Sequence, residues 1–353
     1  MIITNSACKL IYRCVLTVVT WIFSTLIQAA EPDPLFNSQE LLNISLTGPF
    51  RTINRERDKE TEYEGGSLAY TDSTGEIVTL DAKFKVRGNF RLRDDICDYA
   101  QLWVDLDKDD VAGTLFENQN RIKLVVQCDD SSKFERYVIK EHQAYQLFNA
   151  ITDTSFRSRL ARVTYKDTER DSERTHYGVF IEHRNRMAER IGMETVELNR
   201  IERNTLDQVQ GTLASIFMFM AGNTDFSFIT APEDECCHNA KLFQPPGQAI
   251  YFPAPYDFDS SGYVDADYAE PNAALRLRSN RQRLYRGFCV PEMVLNEALE
   301  LFRNKESELM AIASDSSYMD ERYARGSAKY IQDFLDIIND PDEVEDEIID
   351  DCR

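Results

Sequence analysis

The sequence predicts an α+β fold in two parts, a β-rich first half carrying one long helix and a chiefly helical second half. Three observations predict it. Short runs with apolar residues at alternate positions recur between residues 42 and 126, the spacing of strands with one buried face. From Tyr137 the apolar spacing becomes helical, and after Glu182 helical spacing dominates. The 353 residues are 42% hydrophobic with only 14 Gly and 11 Pro, which excludes a collagen-like, low-complexity or mainly disordered chain.

Residues 1–30 differ in kind. Lys9 and Arg13 precede an apolar run from Cys14 to Ile27, and Gln28-Ala-Ala30 leads into Glu31-Pro-Asp-Pro34. This is the layout of a secretory signal peptide, with Gln28 where a small residue is preferred. The run is shorter than the span of about 20 residues that an anchor helix needs. The expectation is a secreted or periplasmic protein with no stable membrane insertion after cleavage.

In the mature chain, Asn43-Ile-Ser-Leu-Thr, Glu76-Ile-Val-Thr-Leu, Ala82-Lys-Phe-Lys-Val86, Leu102-Trp-Val-Asp-Leu106 and Ile122-Lys-Leu-Val-Val126 read as strands. Tyr137, Ile139, His142, Ala144, Tyr145, Leu147 and Phe148 read as an amphipathic helix of about four turns. Strands follow at Leu160-Ala-Arg-Val-Thr-Tyr165 and His176-Tyr-Gly-Val-Phe-Ile181. Helices are expected over 184–192, 205–221, 291–308 and 319–338, with a strand-like patch at 249–253. Residues 340–351 carry a run of carboxylates and read as a solvated tail. The expected units are a signal peptide (1–30), a first lobe (31–182), a second lobe (183–339) and an acidic tail (340–353).

Lys and Arg total 40 against 61 Asp and Glu, a formal net charge of -21. Such a surface repels phosphate backbones, so no nucleic-acid partner is expected. A bound divalent cation still bridges carboxylates to a nucleotide. Beyond residue 30 the cysteines are Cys97, Cys128, Cys236, Cys237, Cys289 and Cys352. An even number in an exported chain without C-x-x-C favours disulfides over zinc. Sequence does not fix their connectivity; Cys97 with Cys128 is the first expectation and Cys237 with Cys289 the second.

Three segments carry chemistry. In Phe219-Met-Ala-Gly-Asn-Thr-Asp225 an apolar helix ends at Gly and a polar turn presents a carboxylate. His238-Asn239 follows, and then Pro255-Tyr-Asp257-Phe-Asp259. On a strand, i and i+2 share a face, so Asp257 and Asp259 are expected to converge on a hard cation.

Together these segments resemble the CotH-type (spore-coat protein H-like) kinases, in which a helix ending in Trp-Asp, then His-Asn, then Pro-x-Asp-Phe-Asp build the site. Upstream, Lys85-Val-Arg87-Gly88-Asn89 looks like the family's Arg-Gly-Asn strand end. Lys123-Leu-Val-Val and Tyr137-Val-Ile-Lys-Glu141 look like its Lys strand and first helix, and Tyr177-Gly-Val-Phe-Ile-Glu182 like its strand into the hinge. The matches keep the family's order over residues 83–262. Departures are Arg91-Leu-Arg93 in place of the usual tandem Lys, Phe226 in place of Trp, and an insertion containing Glu233-Asp-Glu-Cys-Cys237.

The resemblance implies a two-lobed protein-kinase-like fold, with a β-rich N-lobe and a mainly helical C-lobe. It implies ATP and Mg²⁺ as cofactors and phosphoryl transfer to a hydroxyl of an exported protein substrate. Such transfer asks for positioning and charge neutralisation. Lys123, held by Glu141, is expected on the phosphates and Arg87 in the loop that covers them. Glu182 is expected at the end of the strand reaching the adenine pocket. Asp225 is expected to orient the acceptor hydroxyl and receive its proton, with Asp257 and Asn239 as metal ligands and Asp259 as a further metal contact. The alternative implied by the departures is a catalytically silent secreted binding or structural relative.

Overall fold

A computed structural model describes residues 32–230 and 236–353. The signal-peptide expectation and Glu233-Asp-Glu of the insertion lie outside the described residues. The first half is built from β1 (Leu42–Gly48), helix α1 (Phe50–Glu56), β2 (Glu64–Thr71), β3 (Ile77–Arg87), β4 (Gln101–Leu106) and β5 (Arg121–Val126). Helix α2 (Ser132–Ile151), β6 (Ser158–Asp167) and β7 (Ser172–Ile181) complete it.

These strands form a closed barrel in the order β1-β2-β3-β4-β5-β7-β6. Neighbours pair antiparallel until the ring closes, where β1 runs parallel to β6 with Leu42 opposite Ala161 and Leu46 opposite Tyr165. This corrects the expected two-lobed kinase-like architecture with its sheet N-lobe. Alternation states that each strand buries one face, and it is silent on whether the first strand finds the sixth. Closure covers edges that an open sheet would leave unpaired. The barrel is filled by Leu46, Leu68, Phe84, Val104, Ile122, Leu124, Val163 and Phe180, all fully buried.

The outer faces of β6 and β7 carry Leu160, Val179 and Ile181, which belong instead to the core shared with α2 and the second half. Helix α2 therefore buries residues nearly all round, Tyr137, Val138, Ile139, Tyr145, Leu147 and Phe148 among them. A hydrogen bond of 2.8 Å between His142 Nδ1 and Ser158 Oγ ties it to β6.

The second half contains α3 (Arg184–Ile191), β8 (Glu194–Val196), α4 (Gln208–Ala221), β9 (Ala240–Gln244) and β10 (Phe252–Pro255). Helices α5 (Glu292–Asn304), α6 (Glu306–Ser314), α7 (Glu321–Asn339) and α8 (Pro341–Val344) follow. Strands β10, β9 and β8 form a small antiparallel sheet. The strand-like patch expected at 249–253 overlaps β10, and β8 and β9 were not expected. The expected helix over 291–308 is two helices meeting at Lys305.

The acidic tail is also corrected. Residues 341–349 are helical, Val344 and Ile348 are buried in the second-half core, and Cys352 is bonded to Cys289. Its apolar residues four apart supply the buried stripe, while the carboxylates face outward. The other disulfides join Cys97 to Cys128, as expected, and Cys236 to Cys237. The expected Cys237–Cys289 bond is replaced because Cys289 lies beside the returning C-terminal segment, with Cys289 N–H donating to Arg353 O at 3.1 Å. Among the described residues no helix is long and apolar enough to cross a membrane.

Candidate functional site

The outward face of β3, β4 and β5 is cationic in a chain that is otherwise acidic. Cross-strand register places Lys85 beside Trp103 and Trp103 beside Lys123. The Arg87, Arg121 and Lys123 heads lie 5.8, 4.8 and 5.8 Å from the Trp103 ring centroid. Lys123 Nζ also lies 4.4 Å from the centroid of Tyr256, the residue before Asp257. Burial, then the neighbouring Arg87 charge, push the Lys123 ammonium down to about 7, with Asp257 opposing them. Arg87 Nη1 is buried with no hydrogen-bond partner among the described residues. Burial likewise lowers the Arg87 pKa.

Helix α2 presents Glu141 and, one turn on, Tyr145. The Tyr145 hydroxyl accepts the Asp257 N–H at 3.0 Å, and its ring packs 4.7 Å from Phe258. Phe258 is fully buried, so the apolar middle of Asp-Phe-Asp anchors the turn. Both carboxylates reach the same partner. That partner is Arg91, on the single 3₁₀ turn Phe90–Leu92 between β3 and β4. Its Nε lies 3.0 Å from Asp259 Oδ2, and its two terminal nitrogens lie 3.4 Å from Glu141 Oε2 and from Asp257 Oδ1.

Two expectations are corrected here. Glu141 does not hold Lys123; it pairs with Arg91, and among the described residues no carboxylate forms an ion pair with Lys123. Asp257 and Asp259 do not sit on a strand, because β10 ends at Pro255. They converge through a turn in which Asp257 adopts φ +63, a left-handed conformation that Asp tolerates better than most residues.

Asp225 follows α4. The helix stops at Gly222, φ +63, whose N–H caps back to Phe219 O while Asn223 N–H reaches Met218 O, a left-handed cap closing the orphan carbonyls. Asn223 Oδ1 then accepts the Asp225 N–H at 3.0 Å. Arg286 fixes the turn by donating to Phe226 O at 3.0 Å and to Thr224 O. The Asp225 carboxylate is half exposed and contacts His238 Nε2 at 3.0 Å through one oxygen and Asn239 Nδ2 at 3.2 Å through the other. The His238 hydrogen bond is the main reason Asp225 is held below the usual carboxylate range. Reciprocally, Asp225 raises the pKa of His238. Asn239, φ +48, donates the same amide nitrogen to Asp225 O at 2.6 Å. Its amide oxygen is the atom available to a cation.

Glu182 lies apart from these groups. It is fully buried just beyond β7, its two carboxylate oxygens each 2.8 Å from Arg190, and one also accepts the Arg157 N–H. That carboxylate holds the strand end to α3 and contacts no other expected site residue.

Among the described residues no group of three or more His, Cys, Asp or Glu is disposed to hold a metal ion. Mg²⁺ needs fewer: one or two carboxylates beside phosphate and water suffice, and Asp257, Asp259 and Asn239 are hard oxygen donors. Geometry argues the same way, since Asp257 and Asp259 both reach one guanidinium and so can meet at one cation. Glu141 Oε1 is buried with no hydrogen-bond partner among the described residues, and burial pushes Glu141 up to about 8 with Arg91 opposing, so this carboxyl keeps its proton near neutral pH. Asp257, Asp259 and Asn239 are the oxygens that fit the ion. Sequence reasoning missed Arg91, Tyr145 and Arg286. The one signal for Arg91 was its place where the CotH-type pattern carries lysine. No family model matches this chain, and no curated protein matches it.

Proposed function

We propose that this protein transfers the γ-phosphoryl group of ATP to a hydroxyl on an exported protein, as a divergent relative of the CotH-type kinases by its motifs. One observation carries the reading: residues spread from Lys123 to Asp259 are linked through a continuous chain of contacts. Lys123 sits against Tyr256, Asp257 and Asp259 meet Arg91, which also meets Glu141, Tyr256 N–H donates to Asn239 O, and Asn239 holds Asp225. The cationic and aromatic face around Trp103 supplies charge for a polyphosphate in a chain of net charge -21.

In this reading Lys123 and Arg87 bind the phosphates, and binding restores the full charge on the lysine. Asp257, Asp259 and Asn239 hold Mg²⁺, which when bound neutralises charge on the phosphate oxygens. Asp225, fixed at both oxygens and kept ionised by His238, orients the acceptor hydroxyl and receives its proton as the γ-phosphoryl group leaves ADP for the hydroxyl oxygen. Its low basicity suits a reaction governed by positioning. The three disulfides are compatible with export into an oxidising compartment, where the protein substrate would be met.

The test is transfer of radiolabel from [γ-³²P]ATP in the presence of Mg²⁺ to the protein itself or to exported proteins. Asp225→Ala and Asp257→Ala should each reduce labelling by roughly 10²-fold or more. Equal labelling by the wild type and both variants removes catalysis from the account. A second reading, a silent relative that binds a partner, draws on the bonds from Arg91 to three carboxylates. It expects nucleotide or partner binding with no transfer.

A further inference from the structure

Arg91 stands out because it fills the place that the phosphotransfer reading gives to a cation. Its side chain is 9% exposed, and its guanidinium touches carboxylates from two distant segments, Glu141 on α2 and Asp257 and Asp259 after β10. Arg87 acts on Asp257 and Glu141 as well, but among the described residues only Arg91 makes ion-pair contacts with all three carboxyl groups. The site is not an acidic cluster alone, since Glu141 is 1% exposed and its Oε1 is buried with no hydrogen-bond partner among the described residues, while its Oε2 meets Arg91.

The backbone that carries Arg91 is held from outside the cluster. Arg57 donates to Leu92 O at 3.2 Å, to Cys97 O at 2.6 Å and to Asp98 O at 2.6 Å, and Lys59 bonds Asn89 Oδ1 at 2.6 Å. The Cys97–Cys128 disulfide ties the same connection to the end of β5. The 3₁₀ turn is therefore anchored without Arg91's own side chain, and a long side chain with several rotatable bonds can leave the cluster while its backbone stays.

From this we infer that Arg91 is an internal competitor for the cation site, occupying Asp257 and Asp259 until a divalent ion displaces its guanidinium. The inference rests on the metal assignment of the phosphotransfer reading and adds a positioning residue to it. Free Mg²⁺ must displace an ion pair already seated there, with Asp259 buried and Asp257 partly exposed, whereas Mg²⁺ arriving with nucleotide brings phosphate oxygens as well. Arg91 thereby couples metal binding to nucleotide binding. If the residue served only to neutralise buried carboxylates, removing it would destabilise the fold and confer no affinity for metal.

The experiment is Mn²⁺ titration of the full chain without nucleotide, read by electron paramagnetic resonance of the free ion, with thermal melts as the folding control. Arg91→Gln should bind Mn²⁺ at least about tenfold more tightly than wild type, since the competing charge is gone. Arg91→Lys, whose single ammonium cannot bridge three carboxylates, should fall between them. Adding Asp257→Asn and Asp259→Asn to Arg91→Gln should abolish the gain. Unchanged or weaker Mn²⁺ binding in cooperatively melting Arg91→Gln overturns the inference; should that variant not fold, Arg91→Lys decides by the same criterion. Tighter Mn²⁺ binding in a protein that transfers no phosphate would sink the transferase reading and leave the competitor role standing. Transfer with no gain would do the reverse.

Discussion

His142 shows how a residue that looks chemical from its type is made structural by its surroundings. Burial, then the neighbouring Arg159 charge, push its imidazole from 6.5 down to about 3, and Nδ1 is bonded to Ser158 Oγ. A group whose folded pKa is depressed takes up a proton in the unfolded chain first. As pH falls from 7 towards 3, the unfolded state binds the proton that the folded state refuses, and stability drops across that window. Between pH 7 and pH 5 this one group should remove about 2 kcal/mol. His142→Gln, which retains an amide for Ser158, should lack this component. Urea midpoints of wild type and variant at the two pH values measure it; an unchanged difference in stability between them would show that His142 titrates normally. Arg91 gives the converse lesson. Its neighbours in sequence, Phe90 and Leu92, disclose nothing of the carboxylates it meets, because those arrive from α2 and from the turn after β10.

Elements set how much of the site was legible. The end of α4 could be read directly: an apolar helix, Gly222, then a polar turn presenting Asp225, each a local signal. The same locality makes it testable. A Cβ on Gly222 would fall 2.0 Å from the Tyr330 hydroxyl, at φ +63, so Gly222→Ala meets both backbone strain and a clash. The expected cost is more than about 1 kcal/mol from the left-handed conformation alone, with weaker ATP-dependent labelling as Asp225 shifts. Chemical denaturation measures the first, and a variant as stable as wild type would mean that the cap does not hold this turn. Pairing between elements was less legible. Lys123 and Glu141 were placed correctly on a strand and a helix, but spacing cannot tell that Arg91 rather than Lys123 reaches that glutamate. Asp257 and Asp259 were expected to converge by strand periodicity and instead converge through a turn pinned by Phe258 and Tyr145.

At the scale of the molecule, sequence pattern missed β2, whose Gly-Gly start reads as a turn, and divided β3 in two, while it located the other strands of the first half. It did not reveal the ring they form, since closure depends on β1 finding β6 across most of that half. The C-terminal segment failed for a related reason. Its run of carboxylates read as solvated, yet carboxylates on one side of a helix are compatible with a buried stripe on the other. Val344 and Ile348 enter the second-half core, Arg353 N–H donates to Gly287 O at 3.0 Å, and the Cys289–Cys352 bond closes a loop with a sequence separation of 63. A cross-link of that span contributes roughly 2–4 kcal/mol, and the two buried aliphatic side chains contribute about 1.5–3 kcal/mol each. Ending the chain after Asn339 should therefore lower the melting temperature by on the order of 10 °C. Cys289→Ser with Cys352→Ser should account for part of that loss and Val344→Ala with Ile348→Ala for the remainder. A solvated tail would be dispensable, so a truncated chain melting within about 1 °C of wild type, well inside the scatter expected for surface changes, would restore the reading that charge alone suggested.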